Sequence, residues 1–227
     1  MCFSAGVSFT ASAVILIVGV VSIVKATTTA QRVFALVPLF FAFQQFTEGL
    51  LWLVLANHPY DVWRPFLTHV YLSFGWIIWP VFIPFSMGLL EKNVLRKKII
   101  HVFLGIGIMV SLCWIGVMIF YHAHALINVY HIDYQFDFKP VYPFLFTLLY
   151  LIATVLTLLV SSVKYMWAFS ITNLASYLFT RIFFAGHVVS IWCFFGALSS
   201  FIVMMIIINL NATTEKEKQL QESSCLI

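Results

Sequence analysis

Seven runs of apolar residues divide this chain, each close to the ~20 residues that cross the hydrocarbon core of a bilayer. They cover approximately residues 7–24, 33–56, 66–90, 99–121, 141–163, 166–185 and 187–210. Hydrocarbon offers no water to an exposed N–H or C=O, so a run of this kind must satisfy its own backbone, and a helix does so. Composition agrees. Of 227 residues, 63% are hydrophobic and 9% charged, with a mean hydropathy of +1.03, where a soluble domain carries roughly 25% charged residues. The expected fold is all-α: a polytopic transmembrane bundle of seven helices over residues 1–210, then a polar cytoplasmic tail over 211–227 that is a frayed helical end or disordered. The sixth run is the least apolar, because it contains Ser170, Thr172, Asn173, Ser176, Thr180 and Arg181.

The basic residues orient the bundle. With the N-terminus outside, the inner loops and tail hold Lys25, Arg32, Lys92, Arg96, Lys97, Lys98, Lys164, Lys216 and Lys218, nine in all, against three outside: Arg64, Lys139 and Arg181. Such a bias marks the cytoplasmic side. The cluster from Lys92 to Lys98 reads as a topology anchor, with anionic lipid head groups as the alternative partner. The net charge of +4 is small and dispersed, which argues against nucleic-acid binding. Cys2, Cys113, Cys193 and Cys225 show no CxxC spacing, so no zinc finger or dithiol redox motif is expected. No cationic region precedes the first apolar run, unlike a cleaved signal peptide. Phosphate loops, GxSxG and HExxH are missing, and the seventh run has no lysine for a retinal Schiff base. Cys225 stands third from the end, one place short of a prenylation box.

One polar stripe interrupts the second run. Gln44 and Gln45 precede Glu48 by four and three residues, and Trp52 follows by four, so on a helix they share a face. A carboxylate at membrane depth costs several kcal/mol unless it is paired, protonated or hydrated, and it marks a functional site by default. Glu48 lies about eight residues, or ~12 Å, below the outer end of its helix. Several histidines fall on the same outer side: His58, His69, His122, His124, His131 and His187. His69 enters the third run, His187 opens the seventh, and Arg181 closes the sixth. These residues are expected to meet Glu48 in an outward-facing cavity. The bland alternatives are a structural carboxyl held by the glutamines and interfacial histidines touching head groups. His122 and His124, read on a helix end, point apart. The stretch around His131 and Asp133 alternates, and either lies on the membrane surface or folds back as a lid. Removal of Met1 would give Cys2 both an α-amine and a thiol. Thiolate, imidazole and carboxylate together suit zinc or copper.

The blocks Met1-Cys2-Phe3-Ser4-Ala5, Gln44-Gln45 with Glu48-Gly49 and Trp52, Trp79-Pro80-Val81 with Pro84, and Trp192-Cys193-Phe194-Phe195 resemble a family of uncharacterised multi-spanning bacterial membrane proteins. The resemblance runs to about residue 205. It implies a helical membrane fold and the bacterial inner membrane, and no reaction. A likeness to seven-span zinc hydrolases, such as alkaline ceramidases and adiponectin-type receptors, extends only to seven spans and a polar cavity. Those proteins use two histidines four apart in the last span. Here that span has His187 alone, with Ser190 three later, and His69 and Ser73 reverse the order of the early serine and histidine.

The leading expectation is a metal site, zinc or copper, built from Glu48, His69, His187 and Cys2. If it is catalytic, Glu48 is ligand or base, Arg181 clamps an oxyanion or lipid head group, and the protein is a metal-dependent membrane hydrolase. The alternatives are a non-catalytic small-ligand sensor or proton-coupled transporter, and a b-type haem protein using two histidines. The partners expected are the bilayer and a small-molecule or lipid ligand.

Overall fold

The computed structural model describes residues 4–56, 58–128, 131–137, 142–184 and 188–224, with side chains as far as residue 213 except those of residues 58–60. Among the described residues seven helical rods run in sequence. They are α1 (Ala5–Lys25), α2 (Thr29–Phe34 and Leu36–Ala56), α3 (Arg64–Ser73, a π-turn at Phe74–Ile78, and Trp79–Leu90), α4 (Val94–Phe120), α5 (Pro143–Leu151, a π-turn at Ile152–Leu156, and Thr157–Val160), α6 (Met166–Phe183) and α7 (Val188–Leu198 and Ser200–Ser224). Among the described residues six helices are long and apolar enough to cross a membrane. The rod that misses this standard is α6, the one with the polar residues. It hides their cost locally: Asn173 Nδ2 donates to Phe169 O and Thr180 Oγ1 to Ser176 O, both at 2.7 Å.

Side-chain bonds show which rod ends meet. Asn211 donates to the carbonyl of Lys25, and Arg96 Nη1 to Val160 O at 3.3 Å. At the far end, Phe184 meets His131 edge to face at 5.5 Å. Large apolar side chains such as Ile17, Leu112, Phe144 and Ile182 stay exposed on the outside of the bundle, as lipid-facing positions require. Inside, Ile15, Phe34, Phe41, Trp79, Phe169 and Ile206 belong to one buried cluster.

One expectation changes. The stretch between α4 and α5 is not a plain loop: β1 (Ala123–Asn128) and β2 (His131–Phe136) form an antiparallel hairpin, so the fold is not purely helical. It folds back onto the bundle, the lid alternative. The polar tail is helical as far as Ser224. It contains neither glycine nor proline and is rich in Glu, Lys and Gln, which sustain a helix in water.

Prolines shape α3. Pro80 and Pro84 lack the N–H groups that would bond the carbonyls four residues earlier. The π-turn at Phe74–Ile78 falls just before Pro80. Pro80 O, left by Pro84, faces Gly107 of α4 so closely that a Cβ there would lie 1.8 Å from it. Glycine therefore sets the α3–α4 approach. Both π-turns expose carbonyls, and neighbouring side chains take them. Ser111 Oγ donates to Ile77 O at 2.7 Å, Tyr150 Oη to Gly75 O at 2.6 Å, and Ser170 Oγ to Val155 O at 2.7 Å.

Glu91 closes one end. Sequence puts it at a segment end, yet it is only 2% exposed. Its carboxylate accepts from Ser162 Oγ at 2.6 Å, Ser162 N at 2.7 Å, Asn93 N at 2.9 Å and Ser161 Oγ at 3.2 Å. Burial pushes its pKa up, but the bonds from Ser162, Asn93 and Ser161 outweigh that and hold it below the usual 4.5. The carboxylate so staples the α3–α4 turn to the α5–α6 turn, where Tyr165 takes a left-handed φ of 66°.

Two predictions follow from these contacts. Gly107→Ala should destabilise the protein by roughly 1–3 kcal/mol through overpacking, while Gly116→Ala, with open space around it, should be neutral or stabilising; thermal unfolding in detergent compares them. Because the folded pKa of Glu91 is depressed, its contribution is present above the unfolded value near 4.5 and is lost as pH falls through the lower folded value. Glu91→Ala should lower the unfolding temperature at neutral pH, and the gap from wild type should shrink as the pH is taken below about 4.

Candidate functional site

The α2 helix turns its polar stripe inward. Gln44, Gln45, Thr47, Glu48, Leu51 and Trp52 are buried, while Phe43, Phe46 and Leu53 lie exposed between them. The 3.6-residue period produces this division. Glu48 is 0% exposed. Ser190 Oγ donates to its Oε1 at 2.5 Å, and Gln45 Nε2 donates to Oε2 at 3.4 Å. One turn inward, Gln44 bridges two other rods: it accepts from Trp79 Nε1 at 3.1 Å and donates to Cys193 Sγ at 3.2 Å. Ser190 and Cys193, three residues apart on α7, therefore present one face to the α2 stripe.

The hairpin roofs this site. Ala123, Ala125 and Ile132 pack into one buried cluster with Leu51, Trp52, Tyr71, Leu72 and Cys193. Tyr134 stacks on Tyr71 at 4.8 Å, and Phe136 tilts against Trp114 at 5.5 Å. The carboxyl is thus occluded, where an outward-open cavity was expected.

The expected site residues divide. Glu48 is central. His69 is half-buried on the flank of α3, with Nδ1 2.7 Å from Pro65 O. Its neighbour Tyr71, two residues on, packs beside Cys193 instead. Arg181 is exposed in the last turn of α6. Cys2 and His187 lie outside the described residues. Among the described residues no group of three or more His, Cys, Asp and Glu side chains is placed to hold a metal ion. His122 and His124 are not on a helix end: α4 stops at Phe120, His124 is in β1, and its Nε2 pairs with Asp137 Oδ1 at 3.4 Å. Asp133 accepts from Gln135 Nε2 at 2.9 Å.

Ser190 is the partner that sequence reading passed over. The signal was present in the spacing His187, Ser190, Cys193, a run of potential ligands or donors at three-residue steps. It does not say which helix faces α2.

The fold and the buried site define a class: a multi-pass helical membrane bundle with an occluded carboxyl at its heart. Residues 1–218 match the model of the family of unknown function DUF6629, and the chain belongs to that family. No curated protein and no solved structure matches it.

Glu48 and Ser190 should behave as a coupled pair. Ser190→Ala and Glu48→Gln should each destabilise, and the double variant should cost less than their sum, with a coupling of about 0.5–3 kcal/mol. Unfolding equilibria of the four proteins in one detergent measure this; strict additivity would deny the contact.

Proposed function

We propose that this is a multi-pass protein of the bacterial inner membrane in which Glu48 binds a proton and couples it to a small ligand, as a non-catalytic sensor or proton-coupled transporter. The carrying observation is a fully buried carboxyl, to which Ser190 and Gln45 donate. Taking an ionised carboxylate out of water costs several kcal/mol even after relaxation. A proton removes most of this cost and leaves an acceptor for Ser190. The hairpin roof supports the same reading, because it shields the carboxyl from water until the roof moves.

The orientation proposed puts the N-terminus and the hairpin outside and the C-terminus in the cytoplasm. The nine-to-three division of basic residues supports it. A reporter active only in the periplasm should report when fused after residue 60 or residue 132, and should stay silent after residue 94 or in the tail. A periplasmic signal from the tail contradicts this orientation.

One observation favours a second reading, a zinc or copper centre. The Nδ1–H of His69, committed to Pro65 O, leaves Nε2 with its lone pair, the arrangement that prepares a histidine for a metal. Glu48, His69, His187 and Cys2 would hold the ion, which would supply an activated water for hydrolysis. Arg181, at the hairpin end of α6, would contact a lipid head group. Metal analysis of purified protein separates the readings. On the proton reading, Glu48→Gln stays folded, binds about one proton fewer over a titration that starts at alkaline pH, and carries no less metal than wild type. Stoichiometric zinc or copper that is lost in Glu48→Gln would establish the metal centre instead.

A further inference from the structure

A cavity lies about two turns inward of Glu48, between α2, α3, α5, α6 and α7. Its volume is about 50 Å³. Phe41, Trp79, Tyr150, Phe169 and Trp192 supply its aromatic walls. The strong donors among its lining side chains are already committed. Trp79 Nε1 bonds Gln44 Oε1, Trp192 Nε1 bonds Asn173 O, and Tyr150 Oη bonds Gly75 O. Thr154 Oγ1 bonds Tyr150 O, and Asn173 Nδ2 bonds Phe169 O. What faces the space is mainly ring face and aliphatic carbon. Apolar cavities stay dry and take apolar guests, and one of about 150 Å³ admits benzene or xenon. This one is smaller than benzene needs.

We infer that the cavity is a binding site for a small neutral apolar molecule, of the size of xenon, a diatomic gas or a short hydrocarbon. Two of its walls connect to the carboxyl site. Trp79 and Cys193 both bond Gln44, which stands one turn from Glu48 on the same helix face. A guest that shifts either wall moves Gln44. This deepens the sensor reading and rests on it for the coupling alone; the binding rests on the cavity.

Xenon is the probe. Full-length protein in nanodiscs, labelled at the tryptophan indoles, is titrated with dissolved xenon and read by NMR. The Trp79 and Trp192 indole signals should shift saturably with one common affinity. Gly196 lines the cavity, and a Cβ there would press on Phe41 at 2.9 Å; Gly196→Ala should weaken xenon binding at least tenfold. Leu158→Ala, which enlarges the cavity, should let benzene bind saturably where wild type does not. Leu158→Ala also covers the case in which Gly196→Ala fails to fold. A linear, unsaturable xenon response in wild type, or benzene binding unchanged by Leu158→Ala, overturns the site. If xenon binds saturably while Glu48 proves not to bind a proton, the cavity stands and only the coupling falls.

Discussion

The contact between Ser190 and Glu48 is where the physics of this protein is most exposed. A bilayer supplies no water to a polar group, so each such group must find its partner within the protein. At 2.5 Å the serine hydroxyl answers one oxygen of a carboxyl that nothing from solvent reaches. The same requirement accounts for much of the architecture. The carbonyls released by the two π-turns are met by Ser111, Tyr150 and Ser170. The hydroxyls of Ser176 and Thr180 on α6 fold back onto their own helix. Pro80 O is left facing Gly107, where the missing side chain lets the helices close over it. In each case a polar or small residue stands in an apolar run because a backbone group needs it.

The two ends of the bundle solve different problems. At one end Glu91 remains ionised: four hydrogen bonds outweigh its burial, and the gain is a rigid pair of turns beside the basic cluster. At the other, the hairpin covers the Glu48 site with ring contacts, Tyr71 on Tyr134 and Phe136 on Trp114. Ring contacts release more readily than a network of charged hydrogen bonds. On the proposed reading, the hairpin end is where a ligand would enter.

The helices were legible because the 3.6-residue period and the length of each apolar run are local properties. Even α6 was visible, through the turn at Lys164. Glu48 was legible as a buried acid for the same reason: its stripe is written on one helix. Ser190, Cys193 and Tyr71 were not, because which rods face each other depends on packing between segments far apart in sequence. His69 was expected to meet Glu48, yet the buried face of α3 falls on Thr68, Tyr71 and Leu72, leaving His69 at its edge. Glu91 was hidden by its place at a helix end, where acids are usually solvated. The hairpin was hidden because its alternation, from Ala123 to Phe136, is short and rich in histidine. The resemblance to an uncharacterised membrane family agreed with the family match and added no chemistry.

The proposed reading stands or falls on Glu48 being a neutral, proton-carrying acid in the closed protein, its burial outweighing the bonds that Ser190 and Gln45 donate. Isotope-edited infrared spectroscopy of the protein in nanodiscs at neutral pH, with glutamate labelled at its carboxyl carbon, reads this directly. The account predicts a carbonyl stretch of a protonated carboxyl that vanishes in Glu48→Gln and moves to higher frequency in Ser190→Ala, where the hydrogen bond is gone. A wild-type spectrum in which Glu48 contributes only carboxylate bands would contradict it.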